Sequence, residues 1–247
     1  MEEQQKKEAQ QGAALRQRLA EQISLWGGSA WGVADLSCRQ QELIEEYGPV
    51  WQDYPRAISV AVFFPKDVIG QLLAAPTHTY QAYYDIVNAK LNDIALRITQ
   101  LLEAEGWRAF PIPASQRVGQ YKQSAIFSHR LAAAQAGIGW IGKNLSLIHP
   151  QVGPRLRLVT VLTDAPLPVD RPMASQCPPD CTKCRDICPA QAIKGVAYQP
   201  HQPIEERFDF MACAAYLRQV RQSFGKEICG KCLAVCPWGA GAKKKNS

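Results

Sequence analysis

Two runs of cysteine carry the chemistry most legible in this sequence. Cys177-x3-Cys181-x2-Cys184-x3-Cys188 is followed at once by Pro189, and Cys229-x2-Cys232-x3-Cys236 by Pro237, with Cys213 between the runs. Thiolates are soft ligands suited to iron–sulfur clusters or zinc. In a Cys-x2-Cys-x3-Cys-Pro run the short interval wraps the chain round neighbouring corners of a 4Fe–4S cubane, and the proline turns the backbone away. In two-cluster proteins of this type the last cysteine of each run crosses to the other cluster. That rule gives Cys177, Cys181, Cys184 and Cys236 to one cluster, and Cys188, Cys213, Cys229 and Cys232 to the second. The alternative is a pair of four-cysteine zinc sites, which use Cys-x2-Cys pairs without needing the full double run. One departure stands out: Pro178-Pro179-Asp180 makes the first interval a residue longer than the bacterial ferredoxin spacing, so Cys177 is the least regular ligand.

Eight of the nine cysteines follow residue 176, and Cys38 stands alone before them. This asymmetry marks a boundary, and Cys38 reads as a small buried hydrophobe. The chain has 28 Lys and Arg against 22 Asp and Glu, a formal charge of +6. Two clusters at roughly −2 each would cancel about four of those charges, so the excess is not a nucleic-acid footprint. Lys243-Lys244-Lys245 reads as a solvated tail. No apolar run is long enough for a membrane span and no apolar leader follows Met1, so a cytoplasmic protein with reduced thiols is expected.

The elements that must position these residues follow from periodicity. Residues 1–26, free of proline, read as a helix ending at Gly27-Gly28. Ala30–Leu36, Arg56–Phe64, Trp107–Pro113 and Arg155–Thr163 read as strands, and Gln40–Tyr47 and His129–Ala136 as short helices. Tyr84, Val87, Leu91, Ile94, Ile98 and Leu101 recur at three- and four-residue steps, one stripe of a long helix over Tyr80–Glu105. Helices alternating with strands over residues 27–165 predict an α/β domain with a covered sheet.

Ala136-Gly137-Ile138-Gly139-Trp140-Ile141-Gly142-Lys143-Asn144, with the cysteine pattern and Cys213-Ala214-Ala215-Tyr216-Leu217, resembles the epoxyqueuosine reductase family. Val33-Ala34-Asp35-Leu36-Ser37 and Pro55-Arg56-Ala57-Ile58-Ser59-Val60 are similar to its early strands. The likeness runs from about residue 28 to 239. Members are relatives of reductive dehalogenases, so the resemblance implies an α+β or α/β fold. A nitroreductase-like cobalamin-binding domain would precede a bacterial ferredoxin-like two-cluster module. The corresponding division is an N-terminal helix over 1–27, the cobalamin domain over 28–170, the cluster domain over 171–240 and a basic tail over 241–247.

The resemblance also implies cobalamin as cofactor beside two 4Fe–4S clusters, bound in a cleft between the two domains. Gly139, Trp140, Ile141, Gly142, Lys143, Asn144 and Ser146 would be its contacts. Glycines there let backbone approach a macrocycle, Trp140 would cover a face and Lys143 would meet a propionamide or phosphate. The family's Asp-Ser-x-Pro segment is replaced by Gln123-Ser124-Ala125-Ile126, and an amide has no useful acidity. His129 and Tyr121 are therefore the candidate proton donors. The chain also ends at Ser247 without the family's helical-repeat extension. Together these features predict a cobalamin-dependent oxidoreductase of a small-molecule or corrinoid substrate, fed by a low-potential ferredoxin or flavodoxin, with nucleic acid not a partner. Two alternatives are an electron-transfer or corrinoid-reducing protein without substrate chemistry, and a truncated epoxyqueuosine reductase acting in queuosine tRNA modification.

Overall fold

Arg56–Phe63 (β2) and Leu156–Thr163 (β6), the two runs richest in branched apolar residues, are buried along nearly their whole length. Burial on both faces is what such runs require, and both strands occupy the middle of a four-stranded sheet ordered β1-β2-β6-β3. Ala30–Asp35 (β1) pairs antiparallel with β2, Val33 opposite Ile58, and Ala109–Ile112 (β3) pairs antiparallel with β6, Phe110 opposite Leu162. The structure, a computed structural model, describes residues 2–37, 45, 52–115 and 127–239. Of the expected elements, the Gln40–Tyr47 helix lies outside the described residues except for position 45. Among the described residues no helix is long and apolar enough to cross a membrane.

Contacts divide the chain into two interleaved units. The first holds residues 1–62, 88–138 and 157–173; the second holds 63–87, 139–156 and 174–247. In the first unit lie the sheet and the helix Glu2–Leu25 (α1), whose Leu15, Leu19 and Ile23 are buried. The long helix is His78–Ala104 (α3), with Val87, Leu91, Ile94, Ile98 and Leu102 buried. Its last buried position is Leu102 where periodicity predicts Leu101. Within the first unit Asn92 accepts from the Ala114 amide at 2.8 Å, tying the exit of β3 to this helix. The short helix His129–Gln135 (α4) begins at Ser128, whose hydroxyl accepts from the Leu131 amide, and packs on β1.

The second unit contains Lys66–Gly70 (α2) with a 3-10 turn at Gln71–Leu73, a two-residue hairpin of Trp140–Ile141 (β4) and Leu147–Ile148 (β5), and three helices in the cysteine-rich stretch. These are Lys183–Asp186 (α5), Phe210–Phe224 (α6) and Lys231–Ala234 (α7).

One polar junction holds the end of the first unit's chain. Asp170 accepts from the Val33 amide at 2.8 Å and from Arg16 Nη2 at 2.8 and 2.9 Å, while Arg16 Nη1 donates to the Pro168 carbonyl at 2.7 Å. The Asp170 amide in turn donates to the Val33 carbonyl at 2.8 Å, so this segment is bonded to β1 through backbone and side chain. Hydrogen bonds to a charged group are each worth about 1.5–3 kcal/mol when part-buried. Asp170→Ala is expected to lower unfolding stability by about 2 kcal/mol, with Asp170→Asn less costly. Urea titration of the two variants checks this; equal midpoints for Asp170→Ala and the wild type would contradict it.

Candidate metal centre

Each cysteine run folds into a single helical turn. Cys184 sits in α5 and Cys232 in α7, and the two short helices pack on each other. Cys188 and Cys236 close the turns through amides that donate to Arg185 and Leu233 carbonyls at 3.1 and 3.3 Å, and the prolines that follow end the helices. Cys213 arrives on α6, whose N-terminus is capped by Asp209 accepting from the Ala212 amide at 2.9 Å.

The electrostatic neighbours of the thiols fall into two sets. Burial raises the Cys184 thiol above its ordinary range, and the nearby Cys181 and Cys177 raise it further. Cys236 is pushed up to about 11 by burial first, with Cys177 and Cys184 adding to it. Cys232 is raised by burial and then by Cys229, Cys188, Cys184 and Cys213. Cys229 is raised by burial, with Cys188 among its neighbours. The structure thus gathers Cys177, Cys181, Cys184 and Cys236 in one place, and Cys188, Cys213, Cys229 and Cys232 in another, Cys184 lying nearest the border.

The first four line a cavity of about 370 Å³, counted with its opening to solvent, together with Lys143, Asn144, Ile148, Lys183 and Trp238. The four sulfurs stand round a space, an arrangement that a cubane fits. A leftover donor adds to the fit. Trp140 is only 2 % exposed, its indole N–H has no partner among the described residues, and it packs with Cys236 and Cys177. Cluster potentials respond to hydrogen bonds to the sulfurs. The residues present therefore fit an iron–sulfur cluster, which those four thiolates would hold and which would supply one-electron transfer.

The glycine-rich loop serves the cysteines. A Cβ on Gly139 would stand 2.1 Å from the Ile148 carbonyl oxygen, and one on Gly142 would meet Ile148 and Asn144 at 2.7 and 3.0 Å, so both glycines are required by the β4–β5 hairpin itself. Ile141 is buried and Trp140 stacks edge-on against Trp238, with ring centroids 4.9 Å apart. Lys143 donates to the carbonyls of Pro178, Pro179 and Cys181 at 3.0, 2.8 and 3.1 Å. Asn144 donates to the Cys232 carbonyl at 3.1 Å and accepts from the Ser146 amide at 3.1 Å. The Lys143 and Asn144 side chains thus bond to the backbone of the two cysteine runs.

His129 is also committed. The Pro113 carbonyl can only accept, so Nε2–H donates to it at 3.2 Å and Nδ1 accepts from the Thr160 hydroxyl at 2.8 Å. Burial is the main force holding the ring neutral, its pKa pushed down to about 4, with Arg157 and Arg130 acting the same way against the Pro113 bond. It braces α4 against β6 and has no proton to offer in this conformation. Tyr121, Gln123 and Cys38 lie outside the described residues. Sequence reasoning passed over Tyr216 and Trp238. Tyr216 has its phenol raised by burial and by Cys229 and Cys188 beside it, and the available signal was its place three residues after Cys213 on one helix face.

No family model matches the chain. Among curated proteins it is 31 % identical over 248 residues to an epoxyqueuosine reductase of Xanthomonas campestris pv. campestris, covering 94 % of this chain and 63 % of that one. It is 31 % identical over 208 residues to the Pseudomonas aeruginosa epoxyqueuosine reductase, covering 76 % and 52 %. The chain belongs to an epoxyqueuosine reductase-like family. It spans about half to two thirds of the length of these relatives. The fold of this epoxyqueuosine reductase-like chain matches a solved epoxyqueuosine reductase carrying an epoxyqueuosine-modified tRNA-Tyr stem loop, with TM-score 0.60 at 20 % identity over 92 % of this chain and 66 % of that one. It also matches a reductive dehalogenase described for B12-dependent dehalogenation, with TM-score 0.66 at 18 % identity over 86 % and 30 %. The stem-loop complex corrects the expectation that nucleic acid is not a partner. That expectation leaned on the chain's end and on charge cancellation, and neither bears on whether an RNA docks.

Two outcomes test this geometry. Gly139→Ala is expected to cost on the order of 2–4 kcal/mol and to reduce bound iron, because a backbone carbonyl cannot yield to the new methyl. Gly70→Ala, where a Cβ meets nothing within 4 Å, should be neutral or stabilising. Equal behaviour of the two in thermal melts and iron assays would refute the assignment. The second concerns pH. The folded pKa of His129 lies below its ordinary 6.5, so its contribution is fully present above about pH 6.5 and is lost as pH falls toward 4. The ring is half-buried, so solvent screening reduces the loss to about 1–2 kcal/mol. Denaturation between pH 7 and 4 should show that loss in the wild type and not in His129→Asn.

Proposed function

We propose that this chain is an iron–sulfur oxidoreductase of queuosine tRNA modification, reducing the epoxide of epoxyqueuosine in a tRNA. The reading of a small-molecule substrate gives way to this one. The observation that carries it is the pair of four-thiol sets, one round a cavity, in a chain whose relatives are epoxyqueuosine reductases over most of its own length. Removing the epoxide oxygen as water, with an alkene left behind, takes two electrons and two protons. Two clusters, each cycling by one electron, match that demand, and a low-potential ferredoxin or flavodoxin would refill them.

A corrinoid belongs to this reading through the B12-dependent neighbour. The Gly139–Asn144 loop and Ser146 are the residues proposed to meet it, and no step is drawn through it. With Gln123 lacking acidity and His129 held neutral by protein partners, the proton donor is assigned to Tyr121.

The test is anaerobic purification, with iron counted before assay. About eight irons per chain are expected, falling to about four in Cys213→Ala. Supplied with cobalamin, reduced flavodoxin and an epoxyqueuosine-bearing tRNA, the loaded chain should yield queuosine by nucleoside mass spectrometry. A chain with both clusters that leaves the modified tRNA unchanged would defeat the proposal, and stoichiometric zinc would defeat its basis.

A further inference from the structure

Lys143 is a buried cation with no anion to balance it. The residue is 7 % exposed, and its ammonium spends its three donors on neutral carbonyls. Among the described residues no carboxylate forms an ion pair with it. An uncompensated buried charge is costly. Lys143 nevertheless lines the same cavity as Cys177, Cys181, Cys184 and Cys236, where four thiolates round an oxidised cubane would leave a net charge of roughly −2. The missing counter-charge and the cavity coincide.

Its three acceptors are equally specific. They are the carbonyls of Pro178, Pro179 and Cys181, and Pro178 and Pro179 belong to the interval that is one residue longer than ferredoxin spacing. The Pro178 carbonyl also accepts from the Cys181 amide at 3.1 Å, so the interval is a turn that the ammonium anchors from one side. A rotatable ammonium reaching three carbonyls gathers the longer loop so that Cys177 and Cys181 face one cavity, which a planar guanidinium fits less well.

We propose that Lys143 is a positioning residue for the first cluster: it folds the long Cys177–Cys181 interval into a ligand loop, and its charge raises that cluster's reduction potential. The inference rests on the two-cluster reading above. Reduction adds a negative charge to the cluster, and a fixed positive charge at its edge favours that state, so removing the charge must lower the potential.

The experiment is a spectroscopic redox titration of the anaerobic full-length chain, followed by electron paramagnetic resonance, with iron counted for each variant. In Lys143→Gln, which keeps two amide donors and loses the charge, one of the two midpoints is expected to fall. The shift should change the reduced-to-oxidised ratio at least tenfold, 59 mV for a one-electron couple, while the other midpoint stays. Lys143→Arg should keep the wild-type midpoint with some loss of iron. Both clusters present in Lys143→Gln with unmoved midpoints would overturn the proposal. If Lys143→Gln sheds the first cluster, retention by Lys143→Arg supports the role of charge, and equal loss from both overturns it. A wild-type chain without two clusters would sink the two-cluster reading itself, an outcome separate from these.

Discussion

Four thiols lining one half-buried space cannot all carry charge unless a cation sits among them. A free thiol ionises near pH 8.5, and here burial and mutual repulsion move Cys184, Cys232 and Cys236 the wrong way. On the proposed reading these thiols form a ligand set whose deprotonation is driven by metal, which would link metal loading to the order of this unit. Much else in the unit answers to that requirement. The prolines after Cys188 and Cys236 end single helical turns, Asn144 fixes the Cys232 carbonyl, and Lys143 gathers the carbonyls of the first run.

The hairpin at Trp140–Ile141 and Leu147–Ile148 shows how one motif supports two physical readings. A glycine that lets a macrocycle approach and a glycine that lets a carbonyl approach look alike in sequence, because both mean only that a Cβ is not tolerated. At Gly139 the Ile148 carbonyl supplies the second reason. Lys143 and Asn144 bond to the backbone of the cysteine runs, as outer groups around a metal commonly do.

Long periodic elements were the most legible part of the fold. The stripe from Val87 to Ile98 and the branched runs of β2 and β6 each had one physical solution, and their boundaries fall within two residues of those read from sequence. The two-residue strands, α2 and α6 were not anticipated, the strands because so short a pairing leaves no period to detect. The interleaving of the two units was equally hidden. Cysteine density marks where ligands lie, yet residues 63–87 and 139–156 join that unit through contacts such as Lys231 Nζ with the Leu73 and Ala74 carbonyls, which no local pattern encodes. The cysteine spacing was visible because it is a covalent property of the chain. The role of Lys143 was not, because a lysine's three acceptors are chosen by tertiary structure.

On the proposed reading, electrons and protons come from different parts of the chain for a physical reason. A cubane stores charge but no proton, so the two protons of epoxide reduction need a separate acid. His129 shows why histidine alone does not settle where that acid is. Its ring would be a fair donor in water, but a carbonyl on one nitrogen fixes the tautomer, a hydroxyl occupies the other, and burial disfavours the imidazolium. The same three facts make it a good brace between α4 and β6, and on the proposed reading they favour another donor. A group serving as donor must keep one protonated atom free of protein acceptors and exchange with solvent between turnovers. A phenol at position 121 has the proton and a single rotatable bond to present it, which an amide at position 123 does not.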